Sequence, residues 1–222
     1  MTTPQLLIGL FTEGPTDIRF LENVVVRTFE EISFECSSQI EISDIQPIKI
    51  TKSSFVENVI NASRRGVNDF GMIILCVHAD ADDSSDENVY RNKIIPALSE
   101  IENAEDDICK IIVPIVPVQM TEAWMLADKA LLKREIGTNK ADQDLGIYRE
   151  PEQYPNPKAT IESVIRIVQQ DRTRRHRRDL TISDLYLSMG QSVSIDKLKQ
   201  LPSYNKFQEK IRSALRKLNY LY

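Results

Sequence analysis

The 222-residue chain has few of the residues that build dedicated chemical centres: two histidines (His78 and His176), three cysteines and one tryptophan. Two histidines cannot make a histidine-rich metal site, so any metal here is expected to be held mainly by oxygen. Cys36, Cys76 and Cys109 are odd in number and far apart, and two of them lie in apolar runs, so they read as small buried hydrophobes rather than a disulfide framework or a zinc site. No stretch approaches the ~18–20 consecutive apolar residues of a membrane span, and the N-terminus lacks a basic region followed by a long apolar one. The expectation is a cytoplasmic protein without membrane contact. Internal repeats and low-complexity segments are also lacking.

What is present is ordinary in bulk, with 41% apolar and 27% charged residues, and uneven along the chain. Residues 1–156 carry 14 Lys/Arg against 27 Asp/Glu, whereas residues 157–222 carry 14 against 6. An acidic part can hold cations and a basic part an anionic polymer, although the two halves can also simply attract one another.

Met72–Val77 is an uninterrupted apolar run after Gly71, the signature of a strand buried on both faces of a parallel sheet. It ends in the acidic segment Asp80, Asp82, Asp83, where an open α/β sheet places its chemistry. Two apart in extended backbone, Asp80 and Asp82 project to one side and repel, which a bound hard cation would relieve. The plain alternative is an acidic loop.

Leu6–Phe11 predicts a first strand and Glu13-Gly14-Pro15 a turn. Thr16 is the expected N-cap of a helix that starts at Asp17 and buries Ile18, Phe20, Leu21, Val24, Val25 and Phe29. Ile40–Ile50, with Pro47, predicts an edge strand. Ser54 to Glu57 has capping-box spacing, and its helix is expected to close at Arg64-Arg65-Gly66. A third helix around Tyr90–Ile101 is expected to bend or restart at Pro96. Ile111–Val118 is a further strand, and Thr121 is expected to cap one helix running to Gly137. The fold class is therefore α/β, a largely parallel sheet flanked by helices over residues 1–137. Residues 138–156 form a connector, and 157–222 a basic helical region opened by Asn156-Pro157.

Glu13, Asp80, Asp82 and Glu122 can then meet at one end of the sheet. In order and spacing, Leu6–Thr16 with its Glu-Gly turn and Met72–Asp82 with its Asp-x-Asp resemble the TOPRIM domain of topoisomerases, bacterial primases and OLD-type nucleases. The whole chain is similar to a stand-alone TOPRIM-like family of unknown function in Glu122-Ala-Trp124-x-Leu-x-Asp128, in Asn156-Pro157-Lys158, and in the helical tail.

The resemblance implies a TOPRIM/Rossmann-like fold and a nuclease using Mg²⁺ or Mn²⁺. Asp80 and Asp82 would be the principal ligands, Glu13 a ligand or general acid/base, and Glu122 the residue completing the site; the roles of Asp83 and Asp128 stay open. Lys158, a cation where the helix dipole disfavours one, suggests a nearby anion. By resemblance it would lie beside the scissile phosphate. Arg172, Arg174, Arg175, Arg177 and Arg178 would form a phosphate-binding patch for nucleic acid, DNA before RNA, or else a solvated helix end. Trp124 reads as a core anchor before a base-stacking platform. A partner ATPase in DNA repair or anti-phage defence is implied by resemblance alone. The alternatives are a non-catalytic regulatory or binding module and a small-molecule phosphohydrolase.

Overall fold

A computed structural model describes residues 3–50, 53–105, 107–171 and 180–222. The chain begins with β1 (Gln5–Leu6), β2 (Ile8–Phe11), α1 (Asp17–Ser33), β3 (Glu41–Ile42), β4 (Gln46–Pro47), α2 (Phe55–Phe70) and β5 (Ile74–His78). It continues through α3 (Glu87–Val89), a π-helical turn Tyr90–Ile94, α4 (Ile95–Asn103), β6 (Ile111–Ile115), α5 (Thr121–Leu126), α6 (Lys129–Ile136) and α7 (Asp142–Leu145). Among the described residues the remaining α-helices are α8 (Pro157–Asp171), α9 (Leu185–Ser192), α10 (Ile195–Leu198) and α11 (Pro202–Lys217), with short 3-10 turns at Pro151–Gln153 and Ile182–Asp184.

The main sheet is parallel, in the order β4, β2, β5, β6. The predicted first strand divides at Leu7, whose carbonyl accepts from the backbone N–H groups of Ile73 and Ile74. Before Leu7 the chain pairs with β3 and after it with β4 and β5. Pro47 and Pro114 both fall on outer strands, where a missing N–H is tolerated.

Every residue of β5 is buried, and its side chains alternate between two cores. Ile74 and Cys76, with Ile8, Leu10, Val113 and Ile115, pack in the cluster that contains α1 and the C-terminal helices. Leu75 and Val77, with Phe11, pack in the cluster that contains α2 and α4. The C-terminal helices therefore help close one face of the sheet. Trp124 is fully buried against the rings of Tyr204 and Phe207, and its indole N–H donates to Ser203. Where α9 crosses α1, a Cβ on Gly190 would lie 2.5 Å from the Phe20 carbonyl oxygen. Backbone meets backbone there, so neither helix can yield to a larger residue.

Several boundaries differ from those the sequence suggests. Helix α2 passes through Gly66 and ends at Gly71, which takes the left-handed conformation (φ 63°). Gly66 instead makes room for Met72, whose sulfur would be 2.1 Å from a Cβ there. The helix expected from Thr121 to Gly137 is two helices, because Asp128 caps α6 by accepting from Leu131 N–H and also accepts from Ser194 N–H. Thr16 stands at the start of α1 without a side-chain cap bond. The Ser54–Glu57 capping box forms as expected, and Asn156 accepts from Ala159 N–H at the start of α8. No helix among the described residues is long and apolar enough to cross a membrane.

Candidate functional site

Parallel strands β2, β5 and β6 all direct their carboxyl ends to one edge, and the segments that follow carry Glu13 and Asp80-Ala81-Asp82 on loops and Thr121-Glu122 at the start of α5. The loops after β5 and β6 lie side by side. Ala79 and Ala81 N–H donate to the carbonyls of Ile115 and Pro117, Asp82 N–H to Gln119, and Gln119 N–H to Asp83. Asp82 (φ 51°) and Gln119 (φ 64°) are both left-handed, a conformation uncommon for residues other than glycine. The extended backbone assumed for Asp80-x-Asp82 thus ends at Asp82.

Asp80 is held through one oxygen. Its Oδ1 lies 3.1 Å from His78 Nε2 and accepts from Thr121 N–H at 2.8 Å and from the Thr121 hydroxyl at 3.3 Å. Among the described residues Oδ2 accepts no hydrogen bond, so the grip on Oδ1 fixes a carboxylate with its second oxygen free. Burial pushes the Asp80 carboxyl up, but the His78 charge and these hydrogen bonds outweigh it and hold the group below the usual range. His78 is fully buried, and among the described residues its Nδ1 has no hydrogen-bond partner. Burial alone would lower its pKa; Asp80, followed by Asp17 and Glu13, raises it.

Asp17 completes the inner part. One donor atom each from Asp17, His78 and Asp80 lie within 4.8 Å of one another. Burial, followed by the charges of Asp80 and Glu122, outweighs the opposing His78 charge and pushes Asp17 from 3.8 up to about 6. Gly14 permits this arrangement: its φ is not left-handed, but Asp17 occupies the space a side chain would need.

Glu13 and Asp82 form the exposed outer part. Lys93 Nζ bonds both Glu13 oxygens, at 2.7 and 2.9 Å. Partial burial and the charges of Asp80 and Glu13 raise the Asp82 pKa, with Lys93 opposing. These couplings put Glu13, Asp80 and Asp82 in one electrostatic neighbourhood.

Glu122 lies beneath, buried, and accepts from the Tyr186 hydroxyl. Its charge acts on Asp17. Asp83 accepts from Ser84 N–H in the turn before α3 and from the side chain of Asn88 on α3. Lys158 is exposed in the first turn of α8 and has no hydrogen bond or ion pair with Glu13, Asp80, Asp82 or Glu122. Arg172, Arg174, Arg175, Arg177 and Arg178 lie outside the described residues.

Asp17, His78, Thr121 and Lys93 join the site beyond the residues that the sequence pattern marks. A signal for His78 was present, since His78-x-Asp80 continues the alternation of the Asp pair back into the strand. Thr121, expected to cap the helix, is instead the first residue of α5 and turns its hydroxyl to within 3.0 Å of His78 Nε2.

All the outer donors are carboxylate oxygens, the type a hard divalent cation takes. The free Oδ2 of Asp80 fits that use, because its partner oxygen is anchored by the surrounding shell. Fold and site together define an α/β protein with an acidic centre at the carboxyl edge of a parallel sheet. Comparison with protein-family models, curated proteins and solved structures gives no match.

Proposed function

We propose that the protein is a metal-dependent nuclease of the TOPRIM type, hydrolysing phosphodiester bonds with Mg²⁺ or Mn²⁺. The observation that carries the reading is Asp80, anchored through Oδ1 by His78 and Thr121 and open at Oδ2 among the described residues, with Glu13 and Asp82 on loops at the same edge of the sheet. In this reading Asp80, Asp82 and Glu13 hold the cation. A divalent ion, when bound, neutralises charge on phosphate oxygens and activates water. His78 and Thr121 keep Asp80 oriented, and Asp17 and Glu122 add negative charge behind it. Lys158 and the Arg172–Arg178 cluster supply phosphate contacts, so binding is expected to be salt-dependent and indifferent to sequence. The resemblance extends the proposal to a cytoplasmic protein that works beside a partner ATPase in DNA repair or anti-phage defence.

One observation favours a second reading. Lys93 already neutralises Glu13, as a site used only for regulation or partner binding would allow.

The discriminating experiment is incubation of purified protein with plasmid, linear and single-stranded DNA, and RNA, in Mg²⁺, Mn²⁺ or EDTA. Cleavage that requires metal and stops in EDTA is the expected result. Absence of cleavage from every arm favours the non-catalytic module.

A further inference from the structure

Lys93 sits on the π-helical turn Tyr90–Ile94, in which Ile95 N–H donates to the Tyr90 carbonyl five residues back. The sequence cause is Pro96, the second residue of α4. Its ring has no N–H for the Asn92 carbonyl and crowds that carbonyl, and a wider turn relieves the clash. Turns of this kind are frequent at functional sites. Here the turn carries Lys93 over the Phe55 ring, with Nζ 5.6 Å from its centroid, and onto both Glu13 oxygens. Among the described residues, Lys93 is the only lysine or arginine that bonds Glu13, Asp80 or Asp82. Its side chain is 32% exposed and that of Glu13 34%. A pair so exposed is weakly held and readily exchanged.

We infer that Lys93 is the exchangeable cation of the site: it holds Glu13 until a divalent metal takes that carboxylate, then turns its ammonium to a non-bridging oxygen of the substrate phosphate. The inference rests on the nuclease reading. In the step it serves, a water oxygen bonds to phosphorus as the P–O ester bond breaks. The attacking water gives up a proton to bulk water, the departing alkoxide takes one from bulk water, and Lys93 keeps its own while offsetting the phosphate charge. Lys93 is thus assigned as a catalytic residue in direct contact with phosphate.

The test compares wild type, Lys93→Gln and Lys93→Arg. The first measurement is the Mn²⁺ concentration at the midpoint of the metal-induced rise in melting temperature. With no ammonium competing for Glu13, Lys93→Gln should lower the midpoint roughly threefold or more, whereas Lys93→Arg should stay near wild type. The second is binding of a labelled single-stranded oligonucleotide in Ca²⁺, which Lys93→Gln should weaken about tenfold and Lys93→Arg less. An unchanged or higher Mn²⁺ midpoint in Lys93→Gln overturns the exchange. Equal oligonucleotide binding by wild type and Lys93→Gln overturns the phosphate contact alone. No binding by wild type, together with no cleavage, overturns the nuclease reading and the phosphate contact with it. A merely structural lysine would lower the melting temperature of both variants without tightening metal.

Discussion

Asp17 Oδ2 lies 2.4 Å from the point where a Cβ on Gly14 would stand. The glycine next to Glu13 therefore serves the acid three residues later, by leaving the space in which Asp17 approaches His78 and Asp80. Gly14→Ala should push the Asp17 carboxylate away from them at a cost on the order of 1–3 kcal/mol. Thermal melts would show the loss of stability, and Mn²⁺ titration of those melts should show a smaller metal-induced rise than in wild type.

The two aspartates of Asp80-x-Asp82 should respond differently to neutralisation. Asp80→Asn removes the carboxylate that faces buried His78 and should destabilise the apo protein by about 1–3 kcal/mol. Asp82→Asn removes an exposed acid repelled by Asp80 and Glu13, and should leave the apo protein equally or more stable. Each should reduce the Mn²⁺-induced rise in melting temperature, and the double variant should abolish it. A full metal response in the double variant would exclude both as ligands.

Glu13→Gln keeps size and hydrogen-bonding capacity but removes the charge available to metal or proton. On the proposed function, cleavage at saturating Mg²⁺ should fall by at least about 10²-fold, with an unchanged circular dichroism spectrum. Activity within a fewfold of wild type would remove Glu13 from the mechanism.

Asp17 predicts a pH dependence of the opposite sign to an ordinary salt-bridged acid. Its folded pKa of about 6 lies above the ordinary 3.8, so between these values the folded state binds more protons than the unfolded chain. Stability should therefore fall as pH rises from about 4 to 6 and stay reduced above that. Asp17→Asn should raise stability at pH 7.5 by on the order of 2–3 kcal/mol in metal-free buffer, and the gain should vanish near pH 4. Denaturant melts of both proteins across that range would show it. A gain that persists unchanged to pH 4 would refute the assignment.

Trp124→Ala tests the core reading of Glu122-Ala-Trp124. The indole is fully buried, so truncation should cost about 3–5 kcal/mol. If the variant were instead as stable as wild type and lost only nucleic-acid affinity, Trp124 would be a stacking platform.

Periodicity alone determined the α/β class. The apolar run into β5 had to be buried on both faces, and the amphipathic spacing of Phe20, Val24 and Val25 specified α1, because both patterns depend on residues close in sequence. It also placed Glu13, Asp80 and Asp82 at strand ends, since a strand's carboxyl end can be read from the turn that follows it. Tertiary structure decided what those acids touch. Thr121 reaches Asp80 across 41 positions, Lys93 reaches Glu13 across 80, and Tyr186 reaches Glu122 across 64. No local pattern encodes such pairs, because they arise only when parallel strands set the segments after β5 and β6 side by side and when the helices that carry Lys93 and Tyr186 pack against them. The same is true of Gly66 and Gly14. Each resembles a turn or cap glycine in sequence, and only packing against Met72 and Asp17 shows that its use is the absence of a side chain.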